Sequence, residues 1–88
     1  MVEFDLKNFK LISFSPYIYR LFKNHHDTYL MEVTCGTHGV WEVWIQLTQD
    51  EILLYKNEGN KGLEKTANLI SYHCYNPDYQ KRYLKITE

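Results

Sequence analysis

The chain has 88 residues, with ten Lys or Arg against eleven Asp or Glu and a formal net charge of −1. The charges are scattered rather than blocked, so no strong field for nucleic acid or anionic lipid is expected. The length fits a single compact domain over residues 1–88. Aromatic residues make up 16% of the chain, including eight Tyr and two Trp, and supply the large side chains that a core this small relies on.

No apolar run approaches the roughly 18 residues of a membrane span. The opening residues, MVEFDLKN, lack the basic and apolar regions of a secretory signal, and a cytoplasmic location is expected. Cys35 and Cys74 are too few for a disulfide scaffold and read as two free thiols of a reducing compartment.

Residues 3–14 read as strand, but the apolar phase shifts from Phe4 and Leu6 to Phe9 and Leu11. That shift predicts a bulge or short turn at Lys7 and Asn8. Ser15 and Pro16 break the strand, and residues 17–23 form the next one. Asn24, His25, His26 and Asp27 make a polar turn into a strand over 28–35. Gly36 and Gly39 turn the chain again into VWEVWIQL, residues 40–47, the clearest strand in the sequence. Strands joined by links this short pair as an antiparallel meander.

At Thr48 the pattern changes. Thr48, Gln49, Asp50 and Glu51 match the capping box, and Leu47 with Ile52 occupy the positions of a hydrophobic staple. A helix is predicted over about 49–57, with Gly59 as the left-handed residue that ends it. Leu63, Ala67, Ile70 and Cys74 recur at helical spacing and predict a second helix over about 62–75, stopped by Asn76, Pro77 and Asp78. Residues 79–88 form a last edge strand or a packed tail.

The expected fold is therefore α+β: a four- or five-stranded, mainly antiparallel meander sheet over about 3–47, with two C-terminal helices on one face. Alternation places Trp41, Val43, Ile45 and Leu47 toward the core, with Tyr29, Met31, Val33 and Cys35 beside them. On 17–23 the set Tyr17, Tyr19, Leu21 is favoured as core. The opposite face is expected to be largely open and to display Ile18, Arg20, Phe22, Leu30, Glu32, Glu42, Trp44 and Gln46. Apolar groups ringed by polar ones mark contact surfaces. Tyr72, opposite the second helix's apolar stripe, marks a second candidate surface.

Two chemical readings compete. Cys35 and His38 have the composition of a thiol catalyst or half a zinc site, with His25, His26, His73 or Cys74 as further ligands. Successive turns of a meander lie at opposite ends, however, about 20 Å apart, so His25 and His26 cannot complete a site at Cys35. Residues 34–39 read as a hairpin loop with Cys35 packed as a small hydrophobe. No catalytic residue, metal ligand or cofactor is assigned.

Single-stranded nucleic acid could instead stack on the open aromatics, with Arg20, Lys23 and Lys10 at phosphates, but Glu32 and Glu42 share that face. The expectation is a small non-enzymatic module that binds another protein, such as a toxin-immunity protein or a phage antagonist of a host defence enzyme. Trp44, Glu42, Gln46, Phe22, Arg20, Ile18, Glu32 and Tyr72 would carry the contact. Two arrangements compete with this: the first strand or the C-terminal tail folding over Trp44, and a homodimer through the same face.

Overall fold

The computed structural model describes residues 3–35 and 41–87. In chain order it contains β1 (Glu3–Asp5), a 3-10 turn (Leu6–Asn8), β2 (Lys10–Ser15), β3 (Tyr19–Lys23), β4 (Tyr29–Cys35) and β5 (Trp41–Gln46). The helices α1 (Gln49–Glu58), α2 (Asn60–Tyr72) and α3 (Pro77–Gln80) follow, then β6 (Lys85–Thr87). Strands β2 to β5 form a four-stranded antiparallel sheet in sequence order, as short links require. Strands β1 and β6 pair in parallel as a separate two-stranded ribbon.

The phase shift in the N-terminal segment marks the 3-10 turn, whose Asp5 side chain accepts from the Lys7 N–H. The expected first strand is therefore two strands in two different sheets. A second irregularity, a register shift between Leu11 and Ser13, lies within β2. The 15–18 turn is closed by the Ile18 N–H donating to the Ser15 carbonyl at 3.0 Å. At the 24–28 turn the Asn24 carboxamide oxygen accepts from the His26 and Thr28 N–H groups at 2.9 and 3.0 Å. There Asp27 pairs with Lys23 at 3.0 Å, which raises the lysine's pKa and lowers the aspartate's through hydrogen bonding and charge.

The capping box at α1 is complete. The Glu51 N–H donates to Thr48 Oγ1, and the Thr48 N–H donates to Glu51 Oε1 at 2.8 Å. Gly59 ends the helix at φ 65°, where its N–H still reaches the Tyr55 carbonyl. The chain re-enters a helix at once, so α2 begins at Asn60, before the predicted start. Gly62 lets the helices approach, since a Cβ there would lie 2.7 Å from the Leu54 carbonyl oxygen. Beyond α2, Asn76 caps the short α3 through the Asp78 N–H, with Pro77 at its start.

The core lies between the sheet and the helices. Tyr19, Leu21, Tyr29, Met31, Val33, Cys35, Val43, Ile45 and Leu47 meet Leu63, Ala67, Ile70 and Cys74 there. Strand alternation and the α2 stripe place these residues as the sequence predicts. Tyr17 is the exception: it sits in the 15–18 turn, 94% exposed, rather than in the core.

The opposite face is only half open, which corrects the expectation of a largely open surface. Phe22 and Leu30 point away from the helices, yet they are 6% and 0% exposed. The ribbon explains this. Strand β1 runs through the 3-10 turn into β2 at one edge, whereas β6 follows Leu84, whose N–H donates to the Trp44 carbonyl on β5 at the other edge. Because β1 and β6 pair, the ribbon spans the sheet over the face that the helices leave. Arg82 completes the attachment, donating to the Gln46 carbonyl and to both Glu51 carboxylate oxygens.

Candidate functional site

The outer face of the sheet is a lattice of cross-strand rows. One row runs Phe14, Arg20, Glu32, Trp44 from β2 to β5, and the next runs Leu11, Phe22, Leu30, Gln46. On the other side of the first row, toward the 15–18 turn, Ile18 is bonded to Thr34, which is registered with Glu42. The ribbon buries the centre of the Leu11 row, and the Ile18 end stays open.

Arg20 and Glu32 form the middle of this surface. Directly opposite on β3 and β4, they make a bidentate pair, with Nε and Nη2 donating to the two carboxylate oxygens at 2.6 and 2.7 Å. The guanidinium also lies 5.2 Å from the Phe22 ring centroid and 5.8 Å from that of Trp44. The two rings are themselves 5.5 Å apart. Planar stacking and fork geometry suit Arg to this position in a way Lys could not match. The cluster is rigid, and the arginine's charge is neutralised within it.

Beside the cluster lies a cleft of about 550 Å³ lined by Phe14, Pro16, Tyr17, Ile18, Thr34 and Glu42, among others. Its apolar wall comes from the 15–18 turn and the adjoining strand ends, where Phe14 is 59% and Ile18 37% exposed. Tyr17 stands at the tip with φ 67°. Pro16 at the first central position and a positive φ at the second are the signature of a type II turn, whose second position favours Gly or Asn. A tyrosine kept there, with its ring in solvent, is a local backbone cost of the kind that collects at functional surfaces. At the other end of the cleft Glu42 is exposed, and no hydrogen bond or ion pair engages it among the described residues.

Comparison with protein-family models, curated proteins and solved structures returned no match. The fold and the site therefore rest on the chain's own physical chemistry.

Of the predicted contact residues, Arg20, Glu32, Trp44, Ile18 and Glu42 do come together on one surface. Phe22 is buried beneath it and supports Trp44 and Arg20 rather than facing solvent. Gln46 is exposed, but it lies in the Leu11 row, where Arg82 holds its backbone carbonyl. Tyr72 is 84% exposed and lies on α2, in the helix layer rather than on the sheet face. Sequence reasoning missed Phe14 and Tyr17. The Pro16-Tyr17 pair carried the signal, since a proline at a turn's first central position exposes the next side chain.

Cys35 is 1% exposed, and burial together with the neighbouring Cys74 pushes its pKa up to about 12. It keeps its proton at neutral pH, the opposite of what a thiolate nucleophile needs. His38, the proposed companion of Cys35, lies outside the described residues. Tyr83 adjoins the two cysteines, with its hydroxyl donating to the Cys74 carbonyl at 2.6 Å and its pKa raised by burial. Arg20 and Lys23, candidates for phosphate contacts, are each engaged by a carboxylate. No helix among the described residues is long and apolar enough to cross a membrane.

Proposed function

We propose that this protein is a small non-enzymatic binding module that acts as a stoichiometric inhibitor of another protein, occluding that partner's site with the open half of its sheet face. The observation that carries the reading is the cleft: exposed Phe14, Tyr17 and Ile18 beside a rigid Arg20, Glu32 and Trp44 cluster, with Tyr17 held at a positive φ. Aromatic and arginine side chains on a preorganised scaffold are the residue types that dominate binding energy at protein interfaces. A toxin-immunity protein or a phage antagonist of a host defence enzyme fits this size and architecture. Two buried free thiols suit a cytoplasmic site of action.

The test is capture of a partner by the wild-type chain and by a Phe14→Ala, Tyr17→Ala double variant of equal thermal stability. The reading expects a 1:1 complex with the wild-type chain, inhibition of the captured protein's activity, and loss of both with the variant. A complex that forms equally well with the variant sinks the surface assignment. One that forms without inhibition sinks the inhibitor reading.

A further inference from the structure

Charge and spacing in the cleft restrict what can occupy it. Arg20 is the single cation among the described lining residues, and Glu32 takes both of its forward hydrogen bonds. Glu32 is correspondingly satisfied, whereas Glu42 has no partner among the described residues. Among the described residues the cleft thus holds one uncompensated negative charge, at its β5 end, and apolar side chains at its β2 and β3 end. Ile18, just ahead of β3 and bonded to Thr34, and Glu42 on β5 are two strand spacings apart, about 10 Å.

We propose, building on the reading above, that the cleft receives a segment of a different protein that presents a Lys or Arg side chain to Glu42 and, about 10 Å away, an apolar or aromatic side chain to Ile18, with Phe14 on the strand beyond it. An acidic segment would set like charges together at Glu42, which costs affinity. A second copy of this chain is a poor occupant for a related reason. In a two-fold interface the same patch meets itself, and its one lining cation is already tied to Glu32. The basic occupant gives Glu42 a charge-assisted hydrogen bond, and the apolar group covers the exposed rings beside it.

The experiment is selection of displayed random peptides on the full chain, followed by affinity measurement against wild type, Glu42→Gln, Glu42→Lys and Phe14→Ala. All three variants change exposed side chains, and their thermal unfolding should match wild type. The expected result is enrichment of peptides with a basic residue and a nearby apolar one. Binding should weaken roughly tenfold in Glu42→Gln and further in Glu42→Lys. Binding lost in Phe14→Ala but indifferent to Glu42→Lys overturns the basic occupant and leaves the docking surface standing. Selected peptides indifferent to every variant overturn both. Concentration-dependent dimerisation in sedimentation, abolished by Phe14→Ala, overturns the proposal in favour of a second copy.

Discussion

Tyr17 shows how a single residue can trade stability for exposure. A side chain in the left-handed region costs about 1–2 kcal/mol, and at φ 67° with 94% exposure this one has no burial to offset it. Tyr17→Gly is therefore expected to leave the melting temperature unchanged or raise it, the gain being trimmed by the greater freedom of glycine when unfolded. A clear fall on thermal unfolding would show that the ring makes a stabilising contact. Leu30 is the contrary case. Read from alternation alone it faces outward, yet it is fully buried. Leu30→Ala should cost about 2–5 kcal/mol, the range for a large-to-small change in a packed interior, as measured by chemical denaturation.

Cys35 adds a pH dependence. Its folded-state pKa lies near 12 against an ordinary value of 9.0, so above pH 9 the unfolded chain sheds the thiol proton before the folded one does. Stability from this group is fully present below about pH 9 and is lost as pH climbs toward 12. Tyr83, shifted in the same direction, adds to the decline. Denaturation between pH 8 and pH 11 should show stability falling, and the fall should be shallower in Cys35→Ala.

At the scale of elements, two helix features were readable from local sequence because they are local chemistry. The capping box at Thr48 depends on residues three apart, and Gly59 sits where a left-handed terminator is needed. Thr48→Ala should cost about 1 kcal/mol. Gly62 was not readable in the same way, since its role is to let the Leu54 carbonyl of the preceding helix come close. On an isolated helix Gly→Ala stabilises. Here the added methyl meets backbone at 2.7 Å, and Gly62→Ala should destabilise by about 1–3 kcal/mol. A gain in melting temperature would show that α1 and α2 can separate freely.

For the whole molecule, the tail decides how much surface is left to act. Strand β5 is an outer strand of its sheet, and unpaired edges invite association. Leu84 and Arg82 cap that edge at Trp44 and Gln46, and the β1–β6 ribbon then closes half of the outer face. Leu84→Pro removes the N–H that donates to Trp44. It should speed amide exchange across β5 and promote concentration-dependent association, both measurable by hydrogen exchange and light scattering. Unchanged exchange at β5 would mean the tail is not what protects the edge.

The sequence by itself determined the α+β class, the meander order, the inward face of β4 and β5, and the start of α1. Each of these is written in residues a few positions apart: alternation, turn residues and a capping box. Only the tertiary structure decided that the first predicted strand belongs to two sheets, that the chain ends pair with one another, and that Phe22 is a support rather than a contact. Those outcomes depend on β1 meeting β6 across nearly the full length of the chain. No periodicity records such a pairing, because two three-residue strands acquire their preference from the surface they cover and not from their own sequence.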